Sequence, residues 1–241
     1  YGEDCEKELI GCSVPATEHS CSSSNIINFV KQIETVEEID EVEKRELAEY
    51  FTIKRLITEV YPSGFVSYVS DTFDLWAVCT KILPKLKREI LARDGKVVIR
   101  PDSGDPVDII CGDLSKWRYE LEEDEVIDIE PKDKGVVELL WDVFGGTINE
   151  KGYKVLDPHI GVIYGDSITL DRAEQINKRL EAKGFASQVV LGIGSYTYQY
   201  NTRDTFGNAI KSTYVKIKGR PIEIFKDPVT DDGTKKSAVG L

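Results

Sequence analysis

The chain has 241 residues, of which 41% are apolar and 31% charged, a balance typical of a globular protein with a sizeable core. Its formal net charge of −12 argues against a general surface for nucleic acid or anionic membranes, but it leaves open a local pocket for a phosphate ligand. The five cysteines form no CxxC pair, and no apolar run reaches membrane-spanning length. We therefore expect no disulfide framework, no zinc site and no membrane span, and we expect a cytoplasmic protein.

The sequence contains no methionine, not even at position 1, and it stops at Leu241 without a recognisable closing element. We therefore expect a piece of a longer protein, whether the shortening is natural or deliberate. Methionine positions dropped from the written sequence would be another explanation, and the sequence alone leaves both open.

Hydrophobic periodicity predicts alternating helices and strands along most of the chain. Helices are predicted over residues 22–34, where serines at 22–24 could cap the start, over 41–60, after Asp71, over 136–144, and from a Thr169 cap to about Lys183. Strands are predicted over residues 65–69, 96–100, 160–164, 188–192, 212–217 and 222–225. An acidic run at 120–128 is predicted to be a solvated loop.

Four of the predicted strands end in a short polar segment. These segments are Ser70-Asp71, Arg100-Pro101-Asp102, Gly165-Asp166 and residues 192–195. Ligands of parallel α/β proteins bind at the carboxyl ends of the strands, so we expect the four segments to meet in one site. The alternative is that Asp and Ser stand there only as helix caps, because both are favoured at helix N-termini.

The segment after the second of these strands carries the most specific chemistry. Arg100 offers a planar guanidinium to a phosphate or carboxylate, and Asp102 can accept from sugar hydroxyls or hold a cation. Ser103-Gly104 leaves backbone N–H groups available to an anion. Together they predict a site for a phosphorylated sugar. The alternative is an ordinary turn in which Arg100 and Asp102 pair with each other.

The chain has two histidines. His19 lies among small polar residues after an apolar stretch, which leaves a catalytic and a structural role equally open. His159 follows Asp157-Pro158, a setting typical of a turn.

Seven short motifs occur in an order that resembles the nicotinamide phosphoribosyltransferase family. They are SVPATEHS (13–20), VSD (69–71), IRPDSGDP (99–106), IYGD (163–166), GIGS (192–195), TRD (202–204) and FKDP (225–228). The resemblance extends from about Gly11 to Leu241, and the wording around residues 194–207 is similar to bacterial or phage members. It begins partway into the family's chain, so we expect little or no turnover from this chain alone.

The resemblance implies an α/β fold, an irregular TIM-like barrel of the type II phosphoribosyltransferase kind. Residues 1–204 would form the catalytic barrel portion, and residues 205–241 a β-containing segment that completes the phosphate and pyrophosphate site. The implied reaction transfers a phosphoribosyl group from phosphoribosyl pyrophosphate to nicotinamide, giving nicotinamide mononucleotide and pyrophosphate. Mg²⁺ and ATP are the implied cofactors, with ATP acting through a phosphorylated histidine, and the implied assembly is a homodimer with shared active sites.

The resemblance also assigns roles to individual residues. The implied catalytic residues are His19, which would be phosphorylated, Asp71, which supports it, and Asp102. The implied substrate-binding residues are Ser13, Ala16, Ser67, Arg100 at the nicotinamide amide, Ile163, Gly165 and Asp166 at the ribose, Gly194 and Ser195 at the nucleotide phosphate, Arg203 and Lys211 across the dimer interface, and Lys226 near pyrophosphate.

Two other functions remain open at this point. A nicotinate phosphoribosyltransferase shares the broad fold, and the carboxylate that would discriminate amide from acid lies upstream of Tyr1 in the family. A non-catalytic fragment that binds a phosphate ligand is the alternative outside enzymes, although intact His19, Asp71 and Asp102 argue against it.

Overall fold

A computed structural model describes most of the chain. The described residues are 14–33, 39–113, 129–194, 205, 207, 210–230, 232–233, 236 and 238. The acidic run at 120–128 and the motif at 202–204 lie outside them, so the loop predicted for the acidic run stays a prediction.

Helices and short strands alternate along the described chain. The strands are β1 (Val66–Val69), β2 (Val97–Arg100), β3 (Gly146–Ile148), β4 (Lys154–Leu156), β5 (Ile160–Tyr164), β6 (Val190–Leu191), β7 (Tyr214–Ile217) and β8 (Arg220–Glu223). The helices are α1 (His19–Ile33), α2 (Glu41–Arg55), α3 (Leu75–Ala77), α4 (Leu83–Lys85), α5 (Lys87–Leu91), α6 (Pro106–Cys111), α7 (Pro131–Lys134), α8 (Val136–Phe144) and α9 (Leu170–Ala182).

The central sheet is parallel and runs in the order β1-β2-β5-β6. Val69 pairs with Arg100 at the end of the first two strands, and Tyr164 pairs with Leu191 at the end of the last two. All four strands therefore end at the same edge of the sheet. This confirms the predicted α/β class with parallel strands and follows from the apolar runs of β1, β2 and β5, which are buried almost throughout.

Polar side chains fix where several helices begin. Asp40 and Glu43 form a reciprocal capping box at the start of α2. Asp105 caps α6 through the backbone N–H of Val107, and Thr169 caps α9, as the sequence predicted. Each cap satisfies backbone donors that have no partner inside the helix.

Several boundaries differ from the prediction. α1 begins at His19, so the serines at 22–24 lie inside the helix instead of capping it. The helix predicted over 41–60 is α-helical to Arg55 and ends in a π-helical turn, Leu56–Val60. The β-like run predicted at 222–225 is β8, shifted to Arg220–Glu223, because it pairs with β7 through a two-residue turn. The antiparallel hairpin of β3 and β4 was not predicted.

Two hydrophobic clusters stabilise the described fold. The larger one fills the space between the parallel sheet and the helices, and it includes Tyr68, Ile99, Leu140, Val162 and Ile176. The smaller one joins α1 and α2 to the β7–β8 hairpin, and its buried members are Ile26, Ile27, Ala48, Phe73, Ile222 and Ile224. The C-terminal hairpin is thus packed against α1, the helix that begins with His19.

A buried lysine connects four helices. The ammonium of Lys183, just after α9, donates to the carbonyl oxygens of Cys111 at 2.9 Å and Lys134 at 2.7 Å. It also forms an ion pair with Glu138 of α8, and the Lys183 side chain is only 1% exposed. These contacts link α6, α7, α8 and α9.

None of the helices in the described ranges has the length and apolar character needed to cross a lipid bilayer.

Candidate active site

The first part of the site is a histidine held against a buried aspartate. Nε2 of His19 lies 2.9 Å from Oδ1 of Asp71, whose side chain follows β1 and is fully buried. Burial by itself raises the pKa of Asp71, but the hydrogen bond and the charge of His19 outweigh it and hold that pKa below its ordinary value. Asp71 is therefore a carboxylate that accepts from Nε2, and in the neutral ring Nδ1 carries the lone pair.

A second carboxyl group lies on the other side of the imidazole. Oδ2 of Asp102, in the loop between β2 and α6, is 3.7 Å from Nδ1 of His19. Burial and the negative charge of Asp71 raise the pKa of Asp102, against a smaller lowering by His19 and Arg100. The pKa values of the two carboxyl groups are thus shifted in opposite directions, an arrangement that is common in active sites.

A cation from the C-terminal segment completes this group. Nζ of Lys226 lies 3.5 Å from Nε2 of His19, and Lys226 is 8% exposed. The backbone N–H of Asp227 donates to the carbonyl oxygen of Thr72 at 3.0 Å, which ties this segment to the residues after β1. The site therefore combines an imidazole, two carboxyl groups and an ammonium group within a few ångströms.

The other strand ends reach the same place. A Cβ atom added to Gly165 would stand 3.2 Å from Oδ1 of Asp102 and 3.6 Å from Cδ of Arg100. The charge of Asp166 contributes to the raised pKa of Asp102, and a Cβ atom on Gly194 would stand 3.2 Å from Cβ of Asp166. The four polar segments expected to converge do so.

A short extended segment before α1 fixes the position of the histidine. Ala16 pairs in parallel with Ser67 of β1, and Thr17 Oγ1 accepts from the backbone N–H of Val69 at 2.8 Å. The Ser67 hydroxyl and Nε of Arg100 are both buried without a hydrogen-bond partner among the described residues. Buried polar groups in proteins normally have partners, so both atoms are suited to contact a ligand.

The remaining predicted residues divide into two groups. Ile163 lies in β5 beside Val190 of β6, and Lys211 is exposed on the stretch that leads into β7. Ser13, Ser195 and Arg203 lie outside the described residues. The roles inferred for all of these residues stay predictions.

Three side chains that were not among the predicted site residues support the loop that carries Asp102. The Tyr164 hydroxyl donates to the carbonyl oxygen of Gly104 at 2.9 Å. The hydroxyls of Ser103 and Thr230 are hydrogen-bonded to each other. Tyr164 and Ser103 lie inside motifs that were recognised, but a motif does not show which of its side chains reaches a neighbouring loop.

Within the described ranges, no three His, Cys, Asp or Glu side chains are placed together as ligands for a metal ion. The carboxyl groups of Asp71 and Asp102 lie on the two sides of His19. Carboxylate oxygen is the donor that Mg²⁺ prefers, and this ion commonly takes one or two carboxylates together with substrate phosphates.

Known proteins resemble this chain over almost all of its length. A family model described as the nicotinate phosphoribosyltransferase (NAPRTase) family matches residues 2–241. A nicotinamide phosphoribosyltransferase of Acinetobacter baylyi is 52% identical over 97% of this chain and 42% of the relative. Proteins of the same name from Mycoplasma pneumoniae and Xanthomonas campestris are 41% and 33% identical, over 80% and 93% of this chain and 40% of each relative. The chain spans about two fifths of the length of these relatives.

Proposed function

The chain belongs to the nicotinate phosphoribosyltransferase (NAPRTase) family, and we propose that it carries the catalytic portion of a nicotinamide phosphoribosyltransferase. The reaction joins nicotinamide to the ribose of phosphoribosyl pyrophosphate and releases pyrophosphate. The single observation that supports this most strongly is the convergence of His19, Asp71, Asp102 and Lys226 at the ends of the parallel strands. The names of the relatives supply the substrate.

The chemistry needs no general base. The pyridine nitrogen of nicotinamide already has a free electron pair, which forms the new bond to C1 of the ribose. The bond from C1 to the pyrophosphate oxygen breaks, and its electron pair leaves with pyrophosphate. The transition state therefore carries positive charge on the ribose and negative charge on the leaving group.

The side chains present match these two charges. Asp102 and Asp166 provide negative charge where the ribose would lie, next to the backbone of Gly165. Lys226 provides positive charge for the diphosphate. Arg100 provides N–H donors for the nicotinamide amide. Mg²⁺ entering with the diphosphate would neutralise part of the leaving group's charge, with Asp102 and Asp166 as the oxygen donors within reach.

ATP is proposed to act through phosphorylation of His19. The hydrogen bond between Nε2 and Asp71 leaves the electron pair on Nδ1, so Nδ1 would attack the γ-phosphorus of ATP and ADP would leave. A phosphate on this nitrogen would place new negative charge next to Asp102, 3.7 Å away, and within reach of Lys226. That charge would reorganise the cations that bind pyrophosphate.

The assembly around this site is part of the same proposal. The parallel sheet would belong to an irregular TIM-like barrel, with residues 1–204 as its catalytic portion and 205–241 as the segment that completes the phosphate site. Two copies would form a cytoplasmic homodimer, to which Arg203 and Lys211 contribute from the partner's side. The three relatives are named for nicotinamide, which makes the nicotinate reaction the less favoured alternative.

The proposal is tested in the full-length protein with nicotinamide or nicotinate, phosphoribosyl pyrophosphate and Mg²⁺, with and without ATP. Nicotinamide mononucleotide is the expected product, and its rate of formation should rise with ATP. His19→Gln should abolish the stimulation by ATP and leave some basal synthesis. The matched control is His159→Gln, because His159 lies in a turn and its ring is hydrogen-bonded to Asp157; this variant should behave as the wild type.

Three results would count against this assignment. Formation of nicotinate mononucleotide alone would replace the substrate, and unchanged stimulation by ATP in the His19→Gln protein would remove the phosphohistidine. If the full-length wild-type protein forms neither nucleotide, a protein that only binds a phosphate ligand would be favoured.

A further inference from the structure

The loop that carries Asp102 is held from two directions by groups that the proposed chemistry does not use. On one side, the hydroxyl of Tyr164, at the end of β5, donates to the carbonyl oxygen of Gly104 at 2.9 Å. On the other side, the Ser103 hydroxyl is hydrogen-bonded to that of Thr230 at 2.5 Å. Tyr164 is 3% exposed and Ser103 is fully buried, so each contact has at least one partner that is shielded from water.

The loop and the C-terminal segment are also in direct backbone contact. Gly104 has a φ of +84°, and a Cβ atom there would stand 2.6 Å from the carbonyl oxygen of Thr230. A side chain at this position would separate the two segments. The close approach therefore depends on glycine, and it brings the Thr230 hydroxyl within reach of Ser103.

Thr230 belongs to the segment that delivers Lys226 to the histidine. Between these two residues, the backbone N–H of Asp227 donates to Thr72 and that of Val229 donates to Phe73, each at 3.0 Å. The segment is thus fixed to the residues after β1 at one end and to the loop after β2 at the other. A shift at Thr230 would change the surroundings of His19 from both sides.

We propose that Tyr164 and Thr230 are positioning residues for phosphoribosyl transfer, which act by holding the Asp102 loop and the Lys226 segment against His19. This inference rests on the proposed function, because both residues act through Asp102 and Lys226. Neither hydroxyl contacts the reacting atoms. Their effect is on geometry, and small misplacements of reacting groups have large effects on rate.

Two substitutions remove one hydroxyl each and keep the shape of the side chain. In the full-length protein, Tyr164→Phe and Thr230→Val should each lower kcat/KM for phosphoribosyl pyrophosphate about five- to tenfold, the effect expected for one buried hydrogen bond. Thr230→Ser retains the hydroxyl and should restore most of the activity. Tyr153→Phe, in the turn of the β3–β4 hairpin, is the matched control, because the Tyr153 hydroxyl donates to the exposed Glu181 of α9.

The two hydroxyls hold the same loop, so their effects should not be independent. The double variant Tyr164→Phe/Thr230→Val should lose less activity than the product of the two single losses. A loss in the double variant equal to the product of the two single losses would contradict the claim that both hydroxyls act through the same loop. Values of kcat/KM within twofold of the wild type in both single variants would overturn the inference, as would a lower unfolding temperature with unchanged kcat/KM.

A second readout separates this inference from the proposed function. In full-length protein labelled with ¹⁵N-histidine, the ring signals of His19 are assigned by their loss in His19→Gln. They should move in Tyr164→Phe and Thr230→Val and stay in place in Tyr153→Phe. If the wild type makes no nucleotide, the proposed function fails. The ring signals of His19 then still test the inference: shifted signals support an effect of the two residues on the geometry around His19, and unshifted signals refute it.

Discussion

Glu49 makes the stability of this fold depend on pH in a way that a single substitution can remove. This glutamate of α2 is 3% exposed, and its Oε1 accepts a hydrogen bond from the Tyr68 hydroxyl at 2.7 Å. Burial raises the pKa of Glu49 to about 8, helped by the negative charges of Asp74, Asp71 and Glu46 and only partly opposed by the hydrogen bond. Glu49 is therefore protonated in the folded protein at neutral pH.

The sign of the effect follows from proton binding. Between the ordinary pKa of 4.5 and the folded value of about 8, the folded protein keeps a proton that the unfolded chain has released. The free energy of unfolding must then fall as pH rises through this window, by about 1.4 kcal/mol per pH unit and by about 5 kcal/mol in total. Below pH 4.5 and above pH 8 this contribution no longer changes with pH.

Glu49→Gln keeps the size of the side chain and an oxygen that can accept from Tyr68, but it cannot ionise. The variant should lack this slope. From pH 6 to pH 7 the free energy of unfolding of the wild type should therefore fall by about 1.4 kcal/mol more than that of the variant. Urea unfolding at half-unit steps from pH 5.5 to pH 7.5 measures both proteins under the same conditions. Glu89→Gln, at a partly exposed glutamate of α5, is the control for removal of one carboxylate.

Comparison of the two pH profiles shows whether Glu49 causes the fall in stability, because the other titrating groups are common to both proteins. Parallel profiles for the wild type and Glu49→Gln would refute the reasoning. They would mean that Glu49 ionises as readily in the folded chain as in the unfolded one.

Two further substitutions test contacts that hold the sheet and its helices. Lys183→Met should lower the free energy of unfolding by about 3–5 kcal/mol, because its glutamate partner is left without a counter-charge. Lys178→Met, which breaks an exposed ion pair, should cost far less. Similar losses for the two variants in urea unfolding would contradict the buried role of Lys183. Gly192→Ala would place Cβ 2.1 Å from the carbonyl oxygen of Gly165, so it should lower stability by about 1–3 kcal/mol and weaken pyrophosphate binding in calorimetry. In Gly161→Ala the nearest atom to the new Cβ is Cδ of the flexible Lys96 side chain at 3.1 Å, and Val98 is at an ordinary 3.8 Å, so this variant should be well tolerated. An equal loss in both alanine variants would show that backbone contact is not the cause.

Local patterns were enough to predict much of the fold. The apolar runs at β2 and β5 and the amphipathic stretch of α8 gave elements whose observed bounds differ from the prediction by a residue or less. These elements follow from side-chain periodicity and from caps such as Thr169, which act within a few residues. The meeting of the polar segments could also be predicted, since parallel strands place their carboxyl ends at one edge.

Other features were not accessible in this way. The β3–β4 hairpin was missed because its strands have three residues each and β3 is exposed, so neither gives a clear alternation. The start of α1 at His19 was missed because the serines at 22–24, which are good capping residues, lie inside the helix, two of them buried.

The sequence by itself determined most of the helices and strands, the parallel arrangement of the four central strands and the residues available at their ends, because these depend on patterns within short segments. Only the tertiary structure decided that Lys226, 207 positions along the chain, lies beside His19, and that Tyr164 and Thr230 hold the loop of Asp102. It also decided the opposite pKa shifts of Asp71 and Asp102, which depend on burial and on neighbouring charges. Distances and burial of this kind arise when remote segments pack together, and short-range periodicity carries no information about them.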